Sequence, residues 1–173
     1  RGGAPAAHAA AAIDQLRFGT VRRAGRPLVR VFNPSEAEHG WTSTRTVVEV
    51  VTDDMPFLVD SLAIVLMNCG LSIHTMVHPV FAVRRGRTGR IEAIATEGGG
   101  VAESWQHIEV DRTSDPAQLE HVRARIEATL GDVRVAVEDW PAMLRQARDV
   151  ATAVTHKVPG LSRAETQEAS AFL

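Results

Sequence analysis

The sequence has few of the residues on which disulfide bonds, membrane spans or nucleic-acid binding depend. Its single cysteine, Cys69, cannot form an internal disulfide, which fits a reducing compartment, and its apolar neighbours predict a small buried core residue. The net charge of -2 gives no reason to expect nucleic acid or an anionic membrane as a partner. No apolar run reaches the roughly 20 residues that a transmembrane helix needs. With no tyrosine, three tryptophans and five phenylalanines, the core must be mainly aliphatic.

Motifs of common active sites are also absent from the sequence. The glycines at 98–100 are not followed by the lysine and hydroxyl residue of a phosphate loop, and no G-x-S-x-G or H-E-x-x-H occurs. We therefore predict no catalytic residue, no metal and no cofactor in this chain. A small free-standing enzyme or metal site is the hypothesis that we favour least.

The apolar pattern predicts an α+β fold, a sandwich of an antiparallel-rich sheet with helices on one face and helical extensions. We expect helices over 6–18, 55–69 and 116–130, and strands over 27–32, 46–52, 71–84, 90–96 and 105–111. Residues 33–43 favour a loop. Gly131 should end the third helix, and the next run favours a helix to about residue 156, interrupted at Pro141, with a strand over 133–137 as the alternative.

These elements suggest four parts of the chain. Residues 1–26 form an N-terminal helical extension, 27–131 an α+β domain, 132–158 a helical extension, and 159–173 a linker with the start of a further domain. Because the chain begins at Arg1 and ends within a helical pattern, we expect it to be a segment of a longer protein.

Residues 46–85 are the most informative segment. Asp54 is a suitable N-cap for the helix over 55–69, Pro56 suits its first turn, and Gly70 suits its end. The helix carries one apolar stripe, consisting of Leu58, Leu62, Val65, Leu66 and Cys69. The strand over 71–84 should direct Ile73, Val77, Phe81 and Val83 to the core. Its other face is mixed and carries His74, Met76, His78, Val80 and Ala82.

Two groups of polar residues in this segment are candidates for binding. Asp53, Asp54 and Asp60 could bind a metal ion or an amine, but we favour the simpler interpretation that Asp54 caps the helix and the other two carboxylates are solvated. His74 and His78 lie four residues apart on one strand, roughly 13 Å, which is too far for them to share a metal ion. His107 could join one of them from a neighbouring strand, but no third ligand is evident, and half-buried histidines with hydrogen-bond partners are the interpretation that we favour. The backbone N–H groups at the start of the helix could also receive a carboxylate.

A family resemblance rests on three stretches of this sequence. They are VTDDMPFLVDSLAIVLMNCGLSIHTMVHPVFAVRR, ESWQHIE and DVRVAVEDWPAM. Together they resemble the N-terminal region of the large bacterial NAD-specific glutamate dehydrogenases, over about residues 30–173. This resemblance implies an ACT-type domain, a ferredoxin-like βαββαβ unit of the kind that binds amino acids and regulates a distant catalytic domain.

The turn before the helix is similar to the Asp-x-Pro-Gly-Leu motif of ACT domains. Here it reads Asp54-Met55-Pro56-Phe57-Leu58, with Phe57 in place of the glycine. Glycine allows a ligand to approach the backbone closely, whereas a phenylalanine side chain would fill that space. The uncertain strand over 133–137 is a second departure, because an ACT unit requires a closing strand.

The resemblance implies a non-catalytic regulatory or oligomerisation domain of a cytoplasmic enzyme. NAD and the catalytic residues would belong to the full-length enzyme. The implied partners are downstream domains of the same chain, further copies of the subunit and an amino-acid effector. Backbone N–H groups of Asp54–Leu58 would hold the effector's carboxylate. Its amine or side chain would contact Asp60, Asn68, His74 or His78. The alternative is a purely structural module without a ligand, favoured if Phe57 fills the pocket.

Overall fold

The computed structural model describes residues 5–95 and 99–155, together with six positions between 160 and 168. The chain divides into two compact units, Arg1–Val133 and Arg134–Leu173. The helices are α1 Pro5–Gly19, α2 Glu36–His39, α3 Leu58–Asn68 and α4 Pro116–Thr155. The strands are β1 Leu28–Phe32, β2 Thr46–Asp53, β3 Ile73–Val77, β4 Val80–Arg85, β5 Ile91–Ala95 and β6 Val101–Val110. Among the described helices, none is long and apolar enough to cross a membrane.

The six strands form one antiparallel sheet, which confirms the predicted α+β class. β2 lies between β1 and β6, and its residues 46–52 are all buried, as the valine-rich pattern predicts for a covered strand. On its other side β6 pairs with β3 through residues 107–110 and with β4 through residues 101–104. The sheet therefore continues from β6 through β4 to β5, with β3 beside β6 as well.

The single strand predicted over 71–84 is two strands, because the chain is interrupted at His78 and Pro79. Proline has no N–H to donate to a neighbouring strand, although its carbonyl accepts a hydrogen bond from the Trp105 N–H at 3.0 Å. A register shift after Ile73 also changes which residues face the core. Val77, predicted to be buried, is 50% exposed for these reasons.

The two faces of the sheet differ in chemistry. Residues paired directly across antiparallel strands project to the same face, and the pairs Val51 with Trp105 and Glu49 with His107 define one of them. We call this face the charged face, because it carries Arg30, Glu49, Glu103, Trp105 and His107. The opposite face, which we call the apolar face, carries Val48, Val50, Ile108 and Val110, all fully buried.

Helix α1 packs on the charged face. A Cβ atom at Gly19 would overlap the indole ring of Trp105, and the Gln15 side-chain amide donates a hydrogen bond to the Gln106 carbonyl at 2.9 Å. The apolar face is then covered by α3 and the first half of α4. Their buried side chains, each at most 2% exposed, are Leu58, Leu62, Leu66, Val122, Ile126 and Leu130. Two helices thus share one face as predicted, and α1 covers the other.

Helix α4 does not end at Gly131, contrary to the prediction. It continues through Pro141 to Thr155, and residues 133–137 are helical rather than a strand. A glycine inside a helix costs only about 1 kcal/mol, and the buried positions Leu130 and Val133 on either side of Gly131 keep helical spacing. Packing therefore outweighs the local preference of glycine. The short helix α2 also forms within the segment predicted as a loop.

Candidate functional site

The loop between β2 and α3, residues 54–57, is the predicted effector site. The Asp54 N–H donates to the Ala102 carbonyl at 2.8 Å, which fastens the loop to the start of β6. Helix α3 begins at Leu58 and not at Met55. Phe57 is its N-cap residue, and no side chain caps its first turn. The first helical hydrogen bond runs from the Ser61 N–H to the Phe57 carbonyl at 3.0 Å. The prediction that Asp54 caps this helix is therefore wrong.

Phe57 has a backbone conformation that normally belongs to glycine. Its φ of 69° and ψ of 1° lie in the left-handed region, and it alone among the described non-glycine residues has a positive φ. Its side chain is 66% exposed, so it is not packed into the loop. The motif thus keeps the glycine-like backbone at this position, and the phenylalanine ring is directed to solvent at a conformational cost of roughly 1–3 kcal/mol.

The other predicted site residues are dispersed along α3 and β3. Near the loop, Met55 is half-buried, Pro56 and Asp60 are exposed, and Leu58 belongs to the core. Asn68 is exposed in the last turn of α3, about 15 Å along the helix axis from Leu58. An open cavity near this end of α3 is lined by Met67, Gly70, Leu71, Ser72 and Ile73.

The two predicted histidines have separate partners. His78 Nε2 lies 2.8 Å from the Ser104 hydroxyl oxygen, while His74 Nε2 lies 2.6 Å from Asp111 Oδ1 at the far end of β6. The contact with His74, followed by the hydrogen bond from the Ser72 N–H, lowers the pKa of Asp111 to about 2. The structure therefore does not join His74 to the β2–α3 loop in one site.

A buried ionic cluster centred on Glu103 was not predicted from the sequence. Arg85 binds both carboxylate oxygens of Glu103, at 2.7 and 2.8 Å. Arg22 bridges Glu103 and Asp53 with 2.6 Å contacts to each, and Trp105 Nε1 donates to Glu103 at 3.2 Å. Burial alone would raise the pKa of Glu103, but the hydrogen bonds and positive charges of the two arginines outweigh it and lower the pKa. Glu103 is thus held as a carboxylate.

A second cluster on the charged face is centred on Glu49. Arg30 joins Glu49, through Nε at 2.7 Å, to Asp14 on α1, through an Nη atom at 2.7 Å. His107 Nδ1 lies 3.2 Å from Glu49, and Trp41 Nε1 donates to Asp14 at 3.2 Å. A sequence signal existed for this cluster, since Glu49 interrupts an otherwise apolar run in a strand covered on both faces, where a charge requires a partner.

The two clusters connect α1 and the segment after it to the sheet, and their carboxylates are already engaged by arginines. Among the described residues, no group of three or more His, Cys, Asp or Glu side chains is arranged to hold a metal ion. Asp54 in the β2–α3 loop and Asp60 in the first turn of α3 are exposed.

Comparison with known proteins gives consistent similarities. The family model for the glutamate dehydrogenase ACT1 domain matches residues 1–126. The NAD-specific glutamate dehydrogenase of Halomonas elongata is 44% identical over 126 residues, which are 70% of this chain and 8% of that protein. The Pseudomonas aeruginosa enzyme of the same name is 41% identical over 131 residues, or 73% and 8%. The Mycobacterium tuberculosis enzyme is 25% identical over 148 residues, or 83% and 9%. The chain thus spans less than a tenth of these curated relatives.

Proposed function

Because this chain belongs to the glutamate dehydrogenase ACT1 domain family, we propose that it is a non-catalytic regulatory and oligomerisation domain of a large NAD-dependent glutamate dehydrogenase. The full-length enzyme would convert L-glutamate, NAD and water to 2-oxoglutarate, ammonia and NADH in the cytoplasm. NAD would bind to downstream domains of the same polypeptide. The domain would act on those domains, or on other subunits, through contacts that depend on an amino-acid effector.

The conformation of Phe57 is the observation that carries the regulatory role. Its left-handed backbone suits the position at which the ACT motif has glycine, and its ring is exposed rather than packed into the loop. The donors differ from those implied by the sequence, because the Asp54 N–H is bound to Ala102 and Pro56 has no N–H. The N–H groups of Met55, Phe57 and Leu58 would therefore hold the carboxylate of the effector.

Carboxylates beside the same loop would bind the effector's ammonium group. Asp54 and Asp60 are both exposed, the first in the loop and the second in the first turn of α3. Asn68 and His74 are less suitable, because one lies at the other end of α3 and the other is paired with Asp111. True regulation requires that the effector bind one conformational state of the enzyme more tightly than the other.

A thermal-shift scan of the chain against the twenty amino acids and 2-oxoglutarate tests this role. A ligand at 100 times its Kd should add about 2.7 kcal/mol to the free energy of unfolding, a shift of several degrees. Asp54→Asn and Asp60→Asn should reduce the shift, whereas Asp132→Asn, at an exposed position on α4, should leave it unchanged. If none of the compounds shifts the melting temperature, the effector role is wrong.

A structural module without a ligand is the second candidate, and the surface of α3 supports it. Ile64 and Met67 are 54% and 64% exposed and lie one turn apart, so they form an apolar patch on the solvent side of α3, and Phe57, 66% exposed, precedes the helix. Another domain of the longer polypeptide would cover this patch. In the full-length enzyme, Ile64→Asp should then weaken assembly, measured by sedimentation, while any effector shift of the isolated chain persists.

A further inference from the structure

The arginines of this chain are concentrated in two short segments, residues 17–30 and 84–90. Together these segments contain nine of the 18 arginines and no aspartate or glutamate. The rest of the chain therefore has ten basic and 21 acidic side chains, a formal charge of -11, although the net charge of the whole chain is only -2. The small net charge thus conceals a strong separation of charge along the sequence.

The fold places the two segments side by side. The Arg22 N–H donates a hydrogen bond to the Gly89 carbonyl at 3.0 Å, and the Ile91 N–H donates to the Thr20 carbonyl at 2.9 Å. Gly89 has a φ of 82°, and a Cβ atom there would lie 2.4 Å from the Arg22 carbonyl oxygen. The two backbones are therefore in direct contact, which brings the charges of both segments into one region.

Four exposed arginines lie at this contact, and we call them the arginine patch. Arg23 directly follows the contact, and Arg26 closes the next turn, where its N–H donates to the Arg23 carbonyl at 3.1 Å. Arg87 and Arg90 lie on either side of Gly89 in the facing hairpin. In the part of the chain that the structure describes, none of the four forms an ion pair, whereas Arg84 beside them contacts Glu92 at 3.4 Å.

Buried arginines of the same two segments hold the backbone beneath the arginine patch. Arg85 donates from one Nη atom to the Gly89 carbonyl at 2.8 Å and from the other to the Gly19 carbonyl at 3.0 Å. Arg22 donates from Nη1 to the Arg26 carbonyl at 3.2 Å. The backbone of the patch is therefore fixed before any partner binds, which lowers the cost of ordering it on binding.

The arginine patch lies beside the loop between β2 and α3. Arg22, whose backbone contacts Gly89, also reaches Asp53 Oδ1 at 2.6 Å. Asp53 is the last residue of β2 and directly precedes the loop. A partner that covers the patch would therefore lie close to the proposed effector site, so that binding at one place could influence the other.

We propose that the arginine patch is the docking surface for an acidic segment in another part of the longer polypeptide. This inference rests on the proposed contacts with downstream domains and adds the chemistry of the partner. The matched regions are only 8% of the Halomonas elongata and Pseudomonas aeruginosa proteins. Most of such a polypeptide lies outside this chain and is available to supply the acidic segment.

The charges favour carboxylates of a protein over other anions. Guanidinium groups bind carboxylates through paired N–H donors. A partner with several spaced carboxylates would match four arginines from two segments, whereas one small anion would leave part of this charge unmatched. The acidic remainder of the chain would repel a long polyanion such as nucleic acid. A short acidic segment would meet only the patch.

Fluorescence anisotropy of a labelled hexaglutamate peptide with the 173-residue chain tests the chemistry of the patch. Binding should weaken as the ionic strength rises, because salt screens exposed charges. Arg23→Glu combined with Arg90→Glu should weaken binding about tenfold. The matched control is Arg125→Glu combined with Arg17→Glu, two exposed arginines outside the patch, and it should have little effect.

The charge-reversed variants should keep the melting temperature of the unmodified protein, because the exchanged arginines have no ion-pair partners in the described part of the chain. A peptide that binds the patch variant and the control variant equally well would overturn the proposal. Tripolyphosphate or duplex DNA that binds the patch more tightly than the peptide would overturn it as well, and would identify a phosphate-bearing partner instead.

Modification of arginines by phenylglyoxal tests whether the patch is covered in the full-length enzyme. Mass spectrometry should show that Arg23 and Arg90 react several times more slowly there than in the isolated chain. Equal rates would overturn the proposal, and so would protection that appears in the isolated chain as its concentration rises, because a second copy would then cover the patch. Equal rates with a persistent effector shift would leave the regulatory role intact, whereas protection without any effector shift would refute that role alone.

Discussion

The two faces of the sheet are filled in different ways. The apolar face is covered by aliphatic side chains of α3 and α4, with Leu62 and Ile126 fully buried against it. The charged face is covered by α1 and the following segment, which join the sheet through Arg22 and Asp14. Aliphatic packing accepts many side chains of similar volume, whereas a buried charge requires one specific partner with suitable geometry. The charged face therefore determines which segment can cover it.

The N-terminal residues contribute to the charged face of the sheet. The sequence suggests a separate extension over 1–26, and that domain boundary stays a prediction. Yet Asp14 pairs with Arg30, and Arg22 pairs with Glu103, so residues within 1–26 take part in both ionic clusters. We infer that α1 and the segment after it stabilise the fold through these contacts.

Leu62→Asp should have the largest effect, because it places an unpaired charge under the apolar face. Leu62 is fully buried. Burying an unpaired charge there should lower the free energy of unfolding by more than roughly 4 kcal/mol, which is enough to unfold most small domains. Circular dichroism and thermal melting of the variant would measure this loss. Ile64→Asp on the same helix is the control, since Ile64 is 54% exposed and should tolerate the charge. A soluble Leu62→Asp variant with a cooperative transition would show that α3 does not pack as described.

Glu103→Ala should come next, because it leaves Arg22 and Arg85 buried on the charged face without their shared carboxylate. Removing one partner of a buried ion pair lowers the free energy of unfolding by about 3–5 kcal/mol. Urea denaturation would measure this loss. Glu103→Gln keeps the shape and one acceptor oxygen and should cost less than the alanine variant. Equal stability of all three proteins would mean that these charges do not attach the N-terminal segment to the sheet.

Gly19→Ala should destabilise the protein by about 1–3 kcal/mol. Its Cβ would overlap the Trp105 ring and force α1 away from the charged face. Gly131→Ala is the opposite case, because Gly131 lies within α4 and a Cβ there meets no atom within 4 Å. It should stabilise the protein by up to about 1 kcal/mol through helix propensity. Thermal melting of both variants measures how closely α1 approaches the sheet.

Asp111→Asn should have the smallest effect, since Asp111 lies at the exposed end of β6. Its pKa, lowered by His74 to about 2, is below the ordinary value of 3.8. The contact therefore contributes stability above about pH 4 and loses it as the pH falls toward 2. The asparagine variant should show a smaller loss of melting temperature between pH 5 and 2 than the unmodified protein. Identical pH profiles would contradict this assignment.

The short-range features of the fold could be predicted from the sequence, and several long-range ones could not. The buried stripe of α3 and the end of this helix at Gly70, which has a φ of 75°, follow from residue spacing and from the conformational freedom of glycine. The end predicted at Gly131 was wrong, because tertiary packing on both sides of it outweighs its propensity. For the candidate site, the sequence indicated the loop residues but not the Asp54 contact with Ala102.

The aliphatic stripes, the α+β class and the ACT motif are visible in the sequence, because each depends on the pattern of residues a few positions apart. The pairing of charges on the sheet is visible only in the folded chain. Arg22 and Glu103 are 81 residues apart in the chain, and the fold brings an Nη atom of Arg22 within 2.6 Å of the Glu103 carboxylate. The left-handed backbone of Phe57 was also decided by the fold, since no local preference of phenylalanine selects that conformation. Local spacing is visible in a sequence, whereas the partner of a buried charge depends on how the whole chain folds.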